Sequence, residues 1–545
     1  MAFQLSPSVL VTEKDLTNII PAVSTSTGAL AGEFQWGPVG EITTVNNEEQ
    51  LSSIFGKPTA SAYKDFLVAS SFLSYASNLK IVRAANTTGL LNSSNNADSN
   101  GGVLIKNAAH YDSLSLGSDA NLFVAKCPGT FGDNIGVAWA DTSGFNGTDS
   151  AGDPSWTWHD LFDSAPDTGE FHVVVYDATG EITGTSGTAL ERFAFVTTSS
   201  SAKYYDGTSA YFKTRINNGS AWLWVANTSL LTGSTDGVTL SGGGNGSSVT
   251  NGDRETALDL FLDAEAVDIS LILQGGGSTV VGQYIIDNIA EVRKDCVALV
   301  SVEENDVVNI FSAETILTNI LATRSALGSS SYAVMDSAYK LMYDRYNDVN
   351  RWVPLNGDIA GLCARTDNDA DPWFSPAGLN RGRIKNAIAL SNPETITTRD
   401  ELYKKGVNPC VVFPVDGPVL FGDKTLLSKP SAFDRINVRR LFIVIEKAIA
   451  TASKFMLFEQ NDDFTRARFV NMIEPFLRDV QGRRGIVDFR VVCDDSNNTG
   501  EVIDRNEFVA DIYIKPTRSI NFIKLNFVAL RSGVDFEEIV QGATL

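Results

Sequence analysis

The chain has 545 residues, 43% hydrophobic and 20% charged, with a formal net charge of -22 at pH 7. That length exceeds what one hydrophobic core organises and points to about three domains. The acidic balance argues against nucleic acid as a partner, because phosphate contacts need lysine and arginine. No apolar run reaches the roughly 18–20 residues that span a bilayer, so no membrane insertion is expected.

The charge is uneven. Lys106 to Glu265 holds 7 Lys+Arg against 20 Asp+Glu, whereas Asp434 to Arg531 holds 16 against 14. The acidic stretch reads as a solvated outer face. The opening Met1-Ala2-Phe3-Gln4-Leu5-Ser6-Pro7 lacks the basic and apolar regions of a signal peptide. Cys127, Cys296, Cys363, Cys410 and Cys493 are odd in number and widely spaced, so reduced, buried thiols are expected.

In chain order, Val9, Leu10 and Val11 form a β-prone run with no hairpin partner nearby. Gly28 to Glu33 predicts a strand, Leu51, Ile54 and Phe55 a short helix ending at Gly56, and Phe66 to Ala76 a second helix. Leu79 to Ala84 is a further strand, and the Asn/Ser/Gly-rich 86–106 reads as a linker. From there to about 265, short strands such as Phe171–Asp177 and Arg192–Val196 predict a β-rich insertion, with Ser241 to Ser247 as a flexible tip. A βαβ unit follows: strand Val267–Leu273, helix Val281–Val292, strand Cys296–Val302.

The clearest pattern comes last. Val438, Leu441, Phe442, Ile445, Ala448, Ile449, Ala452, Phe455 and Met456 predict an amphipathic helix from Asp434, its cap, to Glu459, with Arg439 and Arg440 on other faces. A second helix, capped within Gln460 to Asp463, carries Pro475 and ends at Gly482. Three alternating strands follow, beginning near Val487, Phe508 and Ile523. The fold class is therefore α+β multidomain: mixed α/β inner and middle domains with a β-rich outer insertion.

Chemistry is poorly supported. Gly275-Gly276-Gly277 follows a strand, but no lysine stands before Ser278-Thr279 as a phosphate loop requires, so a tight turn is expected. Asp367, Asp369 and Asp371 have the spacing of a calcium loop, but its sixth and twelfth positions hold Pro372 and Gly378, so a polar surface loop is expected. His110, His159 and His172 lack partners at metal-ligand spacing. No catalytic residue, cofactor or metal site is assigned.

Several segments, taken in order, resemble the sheath proteins of contractile phage tails. They are Ser6 to Glu13, Gly32 to Val39, Phe72 to Ala84, Pro128 to Asn134, Gly357 to Asp367 with Trp373 to Gly378, Gly406 to Asn408, Phe421 to Leu426, and Ile436 to Leu441. The resemblance implies a structural protein and not an enzyme: a virion tail sheath, assembled in the host cytoplasm from stacked hexameric rings, partnered by tail tube, baseplate and tail terminator proteins. It implies contraction that drives the tube through the host envelope.

The organisation expected from pattern and resemblance together is an N-terminal arm (1–22), a middle α/β domain (23–105 plus 266–395), the outward insertion (106–265), an inner, tube-facing domain (396–533) and a C-terminal arm (534–545). Val9, Leu10, Val11 and Thr12, with Val534, Phe536, Ile539 and Val540, are the expected inter-subunit arm residues. Arg466, Arg468, Arg478, Arg483 and Arg484 are candidates either to face an acidic tube or to form salt bridges within their own domain. The alternatives are the sheath of a genome-free injection device, a nucleotide-binding α/β enzyme using Gly275 to Gly277, and an adhesin or capsid decoration.

Overall fold

Short, wholly apolar strands cannot present a polar face to water, so they are covered on both sides, as in parallel sheets. In the computed structural model, which describes residues 24–95, 103–114, 122–227, 231–392, 394–521 and 523–525, seven strands, the central ones mostly apolar, form one sheet. Its order is Val407–Asn408, Ala333–Asp336, Val297–Val300, Leu271–Leu273, Gly28–Gly32, Leu79–Arg83, Ile42–Val45. All neighbours are parallel except Ile42–Val45, which runs antiparallel at one edge. The expected βαβ unit is present, with its first strand shortened to Leu271–Leu273 and its helix passing through a π-helical stretch, Ile285–Ala290. The sheet runs on to Asn408, beyond residue 395, so segments from 24 to 408 share one core.

Two helices against this sheet touch closely. Asn356–Asp369 crosses Tyr63–Leu73, and a Cβ on Gly357 would stand 2.4 Å from the Val68 carbonyl oxygen. Backbone cannot yield as a flexible side chain can. Gly357→Ala is therefore expected to cost about 1–3 kcal/mol as overpacking, read as a lowered urea midpoint with an unchanged m-value.

The insertion is β-rich, as its composition implies. Its four-stranded antiparallel sheet has the order Thr235–Thr239, Ile135–Ala140, Glu170–Asp177, Thr188–Thr197. Trp36, outside the insertion in sequence, packs in its core. The insertion ends earlier than residue 265, because Ala257, Leu258 and Phe261 belong to the core of the seven-stranded sheet.

Two expectations about its borders fail. The 86–106 segment is not a solvated linker where it is described: Asn92, Ser93 and Ser94 are buried. The Asn92 amide donates to the carbonyls of Ile105 (3.1 Å) and Ala125 (2.9 Å) and accepts from Ile105 N–H. Nor is Ser241 to Ser247 a flexible tip. Gly244–Asn245 pairs with Leu90–Leu91, and a Cβ on Gly244 would stand 2.3 Å from the Gly89 carbonyl oxygen. Glycine serves close approach there, not mobility.

The last domain holds the two expected helices, Ile436–Ser453 and Asp463–Gly482, the second running through Pro475. Asp462 caps the second helix, accepting from Thr465 N–H. The first is not capped by Asp434; its cap position is Arg435, with no side-chain bond to the backbone. Arg439 and Arg440 are buried, not solvated. Arg440 donates to Asp367 (2.5 Å), to the Cys363 carbonyl and to the Thr25 carbonyl, while Arg439 pairs with Glu446 and lies over the Tyr332 ring. All five cysteines are buried and free. The arm residues Val9, Leu10, Val11, Thr12, Val534, Phe536, Ile539 and Val540 lie outside the described residues, as does most of the third C-terminal strand. Its described residues, Ile523 to Leu525, are not in a strand.

Candidate functional site

The C-terminal helices bury Leu441, Ile445, Ile473, Leu477 and Val480 around Trp373. Against them lies a β-ribbon, Ile486–Val492 antiparallel to Asp511–Pro516. Phe489, Val491, Ile512 and Ile514 face the helices, half-buried, while Val487 and Tyr513 face solvent. Among the described residues the ribbon has only two strands, so each keeps an outer edge with no strand partner, although the Gln481 and Asn497 side chains donate to the Val487 and Val492 carbonyls. Such edges template the addition of another strand.

Beyond Pro516 the chain crosses a cleft of about 630 Å³ and is tied down by one carboxylate. Asp423, buried, accepts from Ser519 Oγ (2.8 Å), Asn521 Nδ2 (3.1 Å), Arg435 Nη1 (3.0 Å) and Tyr403 OH (3.1 Å). Burial and the adjacent Asp423 push the Tyr403 phenol up to about 12, so it keeps its proton and serves as a donor. The chain is therefore pinned at Asn521, yet Ile520, Ile523 and Leu525 stand exposed among the described residues. Sequence pattern marks none of this, because Asp423 lies 98 residues from Asn521.

A second apolar surface sits where the two helices meet. Phe455 and Met456 were expected on the buried face. Met456 is half-buried against the domain core, but Phe455 is exposed, together with Leu457, Phe458 and Phe464.

The motif residues are placed as follows. Gly275 N–H donates to Asn356 Oδ1, Gly276 N–H to Asp65 Oδ1 (2.7 Å), and Gly277 N–H to the Gln274 carbonyl. Asp65 is itself held by Arg254 (2.7 Å) and by Glu33 N–H. The chain's own carboxylate thus sits where a phosphate would bind. Asp367, Asp369 and Asp371 do not form one surface loop. The first two lie on the Asn356–Asp369 helix, and each of the three pairs with a different arginine: Arg440, Arg365 and Arg483. Among the described residues no group of three or more His, Cys, Asp or Glu could hold a metal ion. His110 accepts from Lys106 N–H, His159 stacks on Phe145, and His172 is buried.

Three family matches cover much of the chain. Residues 25–84 match the tail sheath protein Gp18 domain III N-terminal region, 248–426 the phage tail sheath protein central domain, and 428–529 the phage tail sheath C-terminal domain. The tail sheath protein of Vibrio phage KVP40 is 33% identical, with 98% of this chain and 99% of that protein aligned. That of Enterobacteria phage T4 is also 33% identical over the same shares. The chain belongs to the phage tail sheath protein family. Its fold agrees: a sheath tail protein from Listeria innocua superposes with a TM-score of 0.56 at 15% identity, covering 91% of this chain and 96% of that one. The contracted helical sheath of the anti-feeding prophage superposes at 0.52 and 13%, covering 97% and 99%.

In this tail sheath protein the five candidate arginines fall into different settings. Arg466 is buried and tied to Asn461, Asp463 and Asp495, so it presents no free surface and serves its own domain. Arg483 pairs with Asp371 (2.8 Å) and Asp479 (2.9 Å) over the Trp373 ring. Arg478 is exposed and pairs with Glu474 one turn away. Arg468 and Arg484 are exposed.

Proposed function

We propose that this chain is the structural subunit of a contractile phage tail sheath. Copies polymerise as stacked hexameric rings around the tail tube, and the sheath shortens to drive the tube through the host envelope during genome delivery. The family match over nearly the whole chain carries this reading. The work is mechanical: contraction runs downhill from a metastable packing, and no catalysis or nucleotide is required. The tail tube, baseplate and tail terminator proteins are the partners, and the virion tail, assembled in the host cytoplasm, is the location.

The open ribbon supports a specific mode of assembly. Val9 to Thr12 and Val534 to Val540 of neighbouring copies add strands to it, forming main-chain bonds that depend little on side-chain identity. A head-to-tail contact of this kind propagates into rings and helices instead of closing a dimer. Pinning by Asp423 at Asn521 fixes where the C-terminal arm departs, so the body can turn while the pairing persists. The C-terminal domain, inner in the sheath, faces the tube with its exposed arginines Arg468, Arg478 and Arg484, and the insertion faces outward.

Deletion of residues 1–22 or 534–545 is expected to leave folded monomer by light scattering and no long tubes by electron microscopy, under conditions where the intact chain forms them. Ordinary tubes from either deletion would falsify the role of that arm while leaving the family assignment intact.

A further inference from the structure

The insertion has a cleft of about 730 Å³ that the sheath role does not use. One wall is the loop Leu161 to Ser164, the other the edge strand Thr188–Thr197, and the rim is the turn at Tyr204 to Asp206. Edge strands are open to pairing, but this one is interrupted at the cleft. Phe171 opposes Val196 and Val173 opposes Phe193, so Ala194 and Phe195 together face the single residue His172. Phe195 has φ +54°, a conformation that a bulky L-residue rarely adopts. Bulges of this kind re-aim side chains, and backbone strain concentrates at working sites.

His172 holds the distortion in place. Its ring is buried and stacks on Phe162 at 4.0 Å, nearly parallel. Its Nδ1 accepts from Phe195 N–H (3.3 Å), which leaves the proton on Nε2, donated to the Ser164 carbonyl (2.8 Å). One imidazole thus braces both walls. Tyr204 OH donates to the Ala194 carbonyl and Arg192 to the Leu161 carbonyl, so the frame is rigid without a ligand.

What this frame presents is chemically specific. Tyr205 is fully exposed at the rim, an open aromatic face with nothing packed on it. Arg192 and Arg215 line the cleft, although they are two of only seven Lys+Arg between Lys106 and Glu265. Asp163 and Asp206 lie beside them as acceptors. A pyranose ring matches this set, since its C–H face is apolar enough to lie on an aromatic ring and its rim is polar. The cleft volume lies in the range of small-molecule sites. A dense polyanion would be repelled by the surrounding acidic surface, and a peptide strand would find the bulged edge unable to pair.

We propose that this cleft binds an acidic saccharide, with one sugar ring stacked on Tyr205 and its carboxylate held by Arg215 and Arg192. This is an adhesive function on the outward domain, independent of contraction.

The test is saturation-transfer NMR on the full-length chain with the methyl glycoside of galacturonate, which carries one carboxylate, and with its methyl ester, which keeps the ring and removes the charge. The acid is expected to bind more tightly than the ester. Tyr205→Ala should weaken it roughly tenfold or more, as truncation of an aromatic anchor does. Arg215→Gln should abolish the preference for acid over ester. Both side chains are exposed, so neither change should disturb the fold. Phe311→Ala, which removes an exposed ring outside the cleft, should change nothing. No transfer to either sugar, or transfer unaffected by Tyr205→Ala, would overturn the site. Equal binding of acid and ester would overturn the role of the arginines.

Discussion

Arg440→Met is expected to lower the stability of the chain by about 3–5 kcal/mol, the range for breaking a buried ion pair at one partner. Arg440 and Asp367 are each about 4% exposed, and the guanidinium also donates to the carbonyls of Cys363 and Thr25. One side chain therefore joins the first C-terminal helix to the Asn356–Asp369 helix and to the segment leading into the central sheet. Removing it strands the Asp367 carboxylate among groups that cannot hydrate it. The readout is the urea midpoint followed by circular dichroism. Arg440→Met with Asp367→Leu should recover much of the loss, because the charge left behind then disappears. Recovery stays incomplete, since two carbonyls still lack their donor. A double variant no more stable than the single would show that shape, not charge, dominates the contact.

The second large effect is a stability that falls as pH rises through neutrality. Asp336 ends the Ala333–Asp336 strand, fully buried, with Ser301 Oγ donating to its Oδ2 at 2.5 Å and its Oδ1 without a partner among the described residues. Burial pushes this carboxyl up to about 8, and burial likewise pushes Glu394 up to about 7. Both are raised, so between the ordinary carboxylate range and these values the folded chain holds protons that the unfolded chain has released. Unfolding then sheds protons, and stability is full at low pH and lost as pH climbs toward 8. The expected fall from pH 5 to 8.5 is on the order of 3–5 kcal/mol for Asp336. Asp336→Asn, neutral and nearly isosteric, should flatten the curve. Parallel curves for the two chains would assign the effect elsewhere.

The C-terminal helices were legible because their apolar spacing is regular and their ends carry turn residues. The central strands were legible because a parallel sheet covered on both faces leaves continuous apolar runs. Arg439 and Arg440 were not. A periodic pattern assigns any charged residue to water, and the partner that makes Arg440 a core residue lies 73 positions away. The same limit hid Asp65, whose carboxylate fills the glycine turn from 211 residues upstream. The glycines at 242–244 read as freedom, although a Cβ on Gly243 would stand 2.6 Å from the Gly129 carbonyl oxygen. Composition marks where glycine is, and only packing reveals whether it serves motion or contact. The ordered set of sheath-like segments still led to the family, because it rests on many weak local matches and not on any long-range pair.

The pairing of Leu90–Leu91 with Gly244–Asn245 sets the two ends of the insertion side by side. A cassette attached at adjacent points can be exchanged for one of another size with little entropic penalty, since closing a loop depends only weakly on its length. A shorter graft at this position would have to cover Trp36, whose ring is otherwise buried in the insertion's core. With that indole replaced by a polar residue, the position becomes a port for grafting one foreign domain onto each copy of the chain.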